Sequence, residues 1–401
     1  MDKTVPKVAF LLHNVDSGGV ERVVVNLLKQ LVKYPILLEL VVFEKQGNFL
    51  NEVPSGVKVV ELINPNTSGR LRRIFPLIRY LRREKPSVLV SQLVQFNVIA
   101  AIAKVLSGIS LRLILVEHLS FDSLEGQLKH NFNERIGILN LLRRIFYPKA
   151  DMVAAVSQGL ATELEEHLRM SSGSIKVLYN PVIDQELIAK SQAFVSHPYF
   201  GSNCPFTFLA AGRLAPQKDF LTLIHAFANL RQRYLARLII LGEGSERQKL
   251  EAAIAQLNLE SDVFLLGFTD NPYAYMSKAN VFVLSSRFEA LPTVLIEALA
   301  CGCQVISTDC PHGPDEILMS GKYGRLVPVG DIQALANAME QTINSSVNLD
   351  LTKSRLQMFS VEKAVSEYME AMNLTCYSTQ SSFGQDYFSV APNFYYSHVH
   401  R

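Results

Sequence analysis

Four side chains in the second half of the chain have the types and spacing to hold an anionic ligand. Arg213 and Lys218 lie five residues apart in LAAGRLAPQKDF, residues 209–220, directly after an apolar run. A guanidinium is a planar fork and an ammonium a point charge, and together at a strand tip they make a clamp for a diphosphate. Glu289 and Glu297 stand eight residues apart in SSRFEALPTVLIEALACG, residues 285–302. Glu297 is flanked by Val294, Leu295, Ile296, Ala298 and Leu299, where a carboxylate is costly unless it is paired or hydrogen-bonded. A lone glutamate on a helix is ordinarily a solvated surface group. Two that frame a strand–loop–helix turn read as a binding element, and the N–H groups around Leu291, Thr293 and Val294 can take phosphate or hydroxyl oxygens.

Those residues need strands to carry them. Apolar runs over 207–211, 236–241, 263–266, 281–284, 304–307 and 325–327 alternate with helical spacing over 219–232, 246–257, 271–278 and 292–300. Pro292 suits the first turn of the last of these helices, and Asp219 suits a helix cap. The first half repeats the alternation, with strands predicted at 8–12, 38–43, 57–61, 88–91, 113–117, 152–156 and 176–179 and helices at 19–33, 75–84, 97–106 and 160–168. Near-continuous apolar strands alternating with helices predict parallel sheets covered on both faces. Two doubly wound domains, 1–180 and 181–373, then face each other across a cleft at the carboxyl ends of their strands, with a linker after Tyr179-Asn180-Pro181 and a structureless stretch to Pro205. Residues 374–401, rich in Ser, Tyr and Phe, read as a tail.

Two strand ends of the first half point at the same cleft. Gly18-Gly19 in NVDSGGV opens a helix where backbone N–H groups can approach an anion, although the dinucleotide fingerprint is incomplete. Glu117-His118 ends another strand.

Charge divides the chain. Residues 1–180 carry 23 Lys and Arg against 16 Asp and Glu, a net +7; the remainder carries 16 against 21, a net −5, which together give the overall +2. A basic first half suits an anionic neighbour. RLRRIFPLIRYLRREK, residues 70–85, places Leu71, Ile74, Phe75, Ile78 and Leu81 on one helical face with arginines elsewhere, and Pro76 either starts or kinks that helix. With Lys129, Arg135, Arg143, Arg144 and Lys149 it reads either as an anionic membrane surface contact or as a packed helix with a solvated basic face. Nucleic acid is not expected, because no aromatic-plus-basic module is present. Five cysteines make no disulfide framework, and the C-x-C-x6-C spacing of Cys301, Cys303 and Cys310 is not that of a zinc site. Neither a signal peptide nor a spanning segment is found, so a cytoplasmic chain is expected, peripheral on the membrane's inner face.

These elements together resemble glycosyltransferase family 4, retaining enzymes of the GT-B fold, over about residues 5–370. The resemblance rests on Gly18-Gly19, Glu117-His118, Tyr179-Asn180-Pro181, Gly212-Arg213 with Lys218, and the E-x7-E pair Glu289/Glu297; Ser307–Ile317 resembles bacterial members that build surface polysaccharides. It implies that Arg213 and Lys218 hold the donor diphosphate, Glu297 the ribose, and Glu289 the hydroxyls of the donor sugar. It further implies that His118 lies near the sugar from the acceptor side, that the Gly19 loop closes on the phosphates, and that Gly242 and Gly267-Phe268 frame the base. Ala290 departs from the glycine common in the family.

The implied reaction is sugar transfer from a nucleotide-diphosphate sugar, UDP-linked ahead of GDP-linked, to a glycan or lipid-linked acceptor, with retention and no metal or other cofactor. A nucleotide-sugar epimerase of the same fold and a non-catalytic partner of another transferase are the alternatives. A dehydrogenase lacks its glycine-rich turn.

Overall fold

The computed structural model describes residues 5–16, 18–62, 73–121, 132–195, 205–344 and 352–377. In the first domain β1 (Lys7–Leu12), β2 (Leu37–Val42), β3 (Val57–Glu61), β4 (Val88–Ser91), β5 (Arg112–Glu117), β6 (Met152–Ala155) and β7 (Lys176–Val177) form one sheet. Their order is β3-β2-β1-β4-β5-β6-β7, and every pairing is parallel. The second domain repeats the plan with β8 (Phe206–Ala211), β9 (Ala236–Leu241), β10 (Val263–Gly267), β11 (Val281–Leu284), β12 (Gln304–Thr308) and β13 (Arg325–Val327). Here the order is β10-β9-β8-β11-β12-β13, again all parallel. Helices cover both faces of such sheets, so strands such as Val8–Leu12 are buried at every residue, which is why they read as unbroken apolar runs.

In each sheet the strand order reverses once. Strand order turns back between β1 and β4 and between β8 and β11, and at such switch points the loops leaving adjacent strands separate and open a crevice. One apolar core fills the first domain and continues onto one face of the second sheet through residues such as Leu209, Phe282 and Leu295. A second core, with Phe208, Phe227 and Leu238, closes the opposite face.

Several elements depart from the sequence expectations. The stretch after Pro181 is not structureless: Gln185–Ser191 is a helix whose Asp184 side chain accepts from the Leu187 N–H at 2.7 Å. A helix over Phe132–Phe146, expected only as a basic stretch, follows β5. The helix near Pro76 starts at Ile74, so the proline falls in the first turn, where it breaks no bond. Its apolar side is core, with Leu77, Ile78 and Leu81 buried, and only Phe75 stands out at 72% exposure. Residues 70–72 and Lys129, and nearly all of the expected tail, lie outside the described residues.

The last described α-helix, Val361–Ala371, returns to the first domain, contrary to an undivided second domain over 181–373. It packs on the helix Gly19–Leu31; Arg112 Nε donates to the Ala371 carbonyl at 2.5 Å, and Gln92 Nε2 donates to the Tyr368 hydroxyl at 3.3 Å. Its buried stripe of Val361, Ala364, Val365, Tyr368 and Met369 marks an amphipathic helix but does not say which sheet it covers. The two passages between domains run side by side. The N–H groups of Val182 and Ile183 donate to the Phe359 carbonyl at 2.9 and 3.1 Å, and the Val361 N–H donates to the Ile183 carbonyl at 2.9 Å. Phe359 is fully buried at this crossing, with the edge of one ring against Tyr179. Phe359→Ala is expected to lower the unfolding free energy by about 3–5 kcal/mol, the range for a large aromatic truncated in a core, measured by denaturant titration.

Candidate active site

The β8/β11 switch point brings together the residues that the sequence holds far apart. Lys218, on the loop after β8, and Glu289, on the loop after β11, form an ion pair with Nζ 2.6 Å from Oε1. The Ser286 hydroxyl donates to the same oxygen at 2.7 Å, and both charged side chains are largely covered. The two loops are tied along their length. Gln217 Nε2 donates to the Phe288 carbonyl at 2.9 Å, the Arg287 N–H to the Gln217 carbonyl at 2.8 Å, and the Ser285 hydroxyl to the Lys218 carbonyl at 2.7 Å. Asp219 stands at the helix cap position with φ +47° but makes no side-chain cap bond there. Its carboxylate instead accepts from Arg287 Nε at 3.0 Å and Thr222 Oγ1 at 2.9 Å, so it fastens one loop to the other.

Arg213 is exposed beside this pair and has no ion-pair partner among the described residues. Pro292 precedes the helix Thr293–Ala300, whose first internal bond runs from the Leu295 N–H to the Pro292 carbonyl. The N–H groups of Thr293 and Val294 therefore face out of the helix start, next to the buried Leu291. Ala290 is buried and keeps φ negative, so the methyl group is accommodated without strain.

Glu297 sits half-buried on the inner side of that helix, and burial raises its carboxyl to about 7 against the pull of Arg22 and Lys218. Arg22 belongs to the first domain, on the helix Gly19–Leu31, and also acts on Tyr273. It is held from behind by a double hydrogen bond to Glu52, at 2.5 and 2.9 Å, with its guanidinium 3.8 Å from the Phe49 ring centre. Sequence reading passed over Arg22; its only signal is a place one turn after the glycine pair.

Gly18 and Gly19 behave differently from each other. A β-carbon on Gly18 would stand 2.0 Å from the Glu21 carboxylate, which folds back over the helix start. Burial raises the Glu21 carboxyl. The position expected to receive a phosphate is thus covered at Gly18 by the chain's own carboxylate, whereas Gly19 faces open space.

His118 is buried at the end of β5, and desolvation lowers it to about 3, so the ring is neutral. Its Nε2 lies 2.6 Å from Gln92 Oε1 at the end of β4, which places the proton on Nε2 and leaves Nδ1 as an acceptor. Behind it Glu117, fully buried, is met by Arg143 at 3.4 Å, by Asn97 Nδ2 at 3.2 Å and by the Tyr147 hydroxyl. Gly242, at φ +133°, lies so close to Gly212 that a β-carbon would stand 1.9 Å from the Gly212 carbonyl oxygen. Gly242 and Gly267 are joined by a 2.7 Å backbone bond, and Phe268 is 74% exposed beside them. Cys303 is buried, its thiol 3.5 Å from the Ala279 carbonyl, and among the described residues no three His, Cys, Asp or Glu side chains gather as a metal site.

Two family models match the chain: Glycosyltransferase Family 4 over residues 17–186 and Glycosyl transferases group 1 over residues 202–358. The chain is 31% identical over 376 residues to the N-acetylgalactosamine-N,N'-diacetylbacillosaminyl-diphospho-undecaprenol 4-alpha-N-acetylgalactosaminyltransferase of Campylobacter jejuni, covering 89% of this chain and 96% of that one. The chain belongs to glycosyltransferase family 4. It is an enzyme that transfers sugars, and its two facing domains are the GT-B fold. The fold is shared with the lipopolysaccharide outer core galactosyltransferase WaaB, at 23% identity and TM-score 0.73 over 92% of this chain and 99% of that one. It is shared as well with Anabaena HepE, solved in complex with UDP, at 21% identity and TM-score 0.73 over the same shares.

The proton on Glu297 gives the transferase a pH-dependent stability. The carboxyl is raised to about 7 in the folded chain from 4.5, so its contribution is fully present below pH 4.5 and is lost as pH rises to about 7. Glu297→Gln is expected to raise the melting temperature at about pH 8 and to leave it nearly unchanged at about pH 4.5, read by calorimetry at both values.

Proposed function

We propose that this glycosyltransferase moves a sugar from a UDP-sugar to a lipid-diphosphate-linked glycan, with retention of anomeric configuration and without a divalent metal. The observation that carries this is the Lys218–Glu289 pair at the switch point, with Arg213 exposed beside it. Arg213, Lys218 and the N–H groups of Thr293 and Val294 stabilise the diphosphate as it leaves, which is the charge a metal would otherwise supply. Glu289 keeps Oε2 for a sugar hydroxyl while Oε1 is taken by Lys218 and Ser286. Glu297 receives the ribose hydroxyls, Gly19 closes on the phosphates, and Gly242, Gly267 and Phe268 border the base. Neutral His118 presents Nδ1 as an acceptor for a hydroxyl on the opposite wall. Attack comes from the same face as departure, so no enzymic nucleophile is needed. The lipid-linked acceptor is supported by the Campylobacter relative's substrate, a glycan on diphospho-undecaprenol, and the UDP donor by the UDP-bound HepE.

A cytoplasmic, peripheral site of action fits the surface of the first domain. None of the described helices is long and apolar enough to cross a membrane. Three neighbouring helices, Ile74–Glu84, Val94–Ser107 and Phe132–Phe146, instead expose Phe75, Val105, Leu106, Ile138, Leu141 and Ile145. Arg79, Arg83 and Arg144 are exposed among them, a mixture suited to an anionic bilayer.

UDP is expected to raise the melting temperature, and Arg213→Ala to remove most of that shift. Transfer from UDP-N-acetylgalactosamine to an undecaprenyl-diphosphate-linked glycan should survive excess EDTA and fall at least about a hundredfold in Glu289→Gln. Isomerised donor without acceptor would replace the transferase reading with the epimerase one, and no UDP-induced shift would overturn the UDP donor. On flotation with vesicles of anionic lipid the protein should rise with the lipid, and Leu141→Asp with Ile145→Asp should leave it in the soluble fraction.

A further inference from the structure

The two domains touch at a built polar contact directly beside the Glu289 loop. The helix Gln158–Leu168 of the first domain begins with Ser157, whose hydroxyl accepts from the Leu160 N–H at 3.2 Å and donates to the Ala290 carbonyl at 2.7 Å. The next N–H, that of Gln158, donates to both carboxylate oxygens of Glu316, at 3.0 and 2.9 Å. Glu316 lies in the second domain, within the stretch Ser307–Ile317, and its Oε1 also accepts from the Tyr179 hydroxyl at 2.5 Å. Its carbonyl is held by Arg355 Nη2 at 2.6 Å.

The same helix start presses on His312. A β-carbon on Gly159 would stand 2.7 Å from His312 Nδ1, so only glycine lets the ring lie there. His312 in turn clasps the sugar loop: its N–H donates to the Glu289 carbonyl at 3.0 Å, and the Glu289 N–H donates to the Pro311 carbonyl at 2.6 Å. The Glu289 backbone is thus fixed by Pro311 and His312 of its own domain, and the next carbonyl, that of Ala290, by Ser157 of the opposite one.

We infer that Glu316 is a positioning residue: by accepting from Gln158 and Tyr179 of the first domain it latches the two domains and sets the Glu289 loop. A carboxylate at a helix start is favoured by the exposed N–H groups and the helix dipole, and here that attraction acts between domains. Because the latch closes on the chain's own groups rather than on a ligand, it serves any donor sugar alike. Its loss frees the Glu289–Leu291 end of the loop, while the ties at Ser285, Arg287 and Phe288 keep the β8 loop, with Arg213 and Lys218, in place.

Hydrogen exchange on the full chain with UDP present tests this. In Glu316→Gln, exchange over 156–160 and 286–291 should quicken at least about fivefold while β8 and β9 stay unchanged. Tyr179→Phe, a milder change, should give a smaller effect, and none in the Glu316→Gln background, since both act through one carboxylate. Turnover of UDP-N-acetylgalactosamine should fall about tenfold in Glu316→Gln with the Kd for UDP held within about twofold. Unchanged exchange over 286–291, or a uniform rise across both domains, overturns the latch. The inference rests on Glu289 orienting the sugar. Full turnover in Glu289→Gln would overturn that reading alone, with the exchange over 286–291 still deciding the latch.

Discussion

An ammonium and a carboxylate meet at the tips of two neighbouring parallel strands, and the rest of the site is arranged around that pair. Lys218 and Glu289 are 71 residues apart, and only the reversal of strand order between β8 and β11 makes their loops neighbours. Neither charge would be tolerated alone against a covered wall; paired, and with Ser286 filling a further acceptor position, they are. The zippered contacts of Gln217, Asp219, Ser285 and Arg287 keep the loops from drifting, so the pair holds its spacing without help from a ligand. Such preorganised charge is worth more than the same groups on a mobile loop.

The opposite wall works by the contrary rule. Burial strips His118 of its charge and leaves it tied to Gln92, so the first domain presents a neutral acceptor there. Arg22, braced by Glu52 and Phe49, is the exception, and it faces Glu297, whose carboxyl burial raises. One wall holds charge in place, and the other offers little of it.

Much of this was legible in the sequence, for a physical reason. Strands buried on both faces must be apolar throughout, so strands such as β1 and β11 announce themselves, and residues just after them face the cleft by topology. That logic puts Arg213, Lys218, Glu289 and His118 after strand ends, where the structure has them. It missed Gln92, which ends β4 but belongs to no charged or glycine-rich motif. Asp219 has the type and position of a cap, whereas a partner 68 residues away takes its carboxylate. Gly18 by its type and place offers room for an anion, yet the space is filled by Glu21, three residues on. Local spacing predicts which backbone groups are left over; it does not say which neighbour takes them. The helix Val361–Ala371 shows the same limit, since an apolar stripe specifies burial and not the surface that provides it.

The side-by-side passages at 181–183 and 359–361 also bear on how the chain comes off the ribosome. The first domain is synthesised first but completed last, because the helix that covers Gly19–Leu31 emerges only after the whole second domain. Until then the patch beneath Val365, Tyr368 and Met369 stays uncovered on a nascent domain whose sheet is otherwise able to form. Closing the first domain and joining the two domains are therefore one event in time. A nascent chain halted before that helix would carry two sheets but no finished cleft.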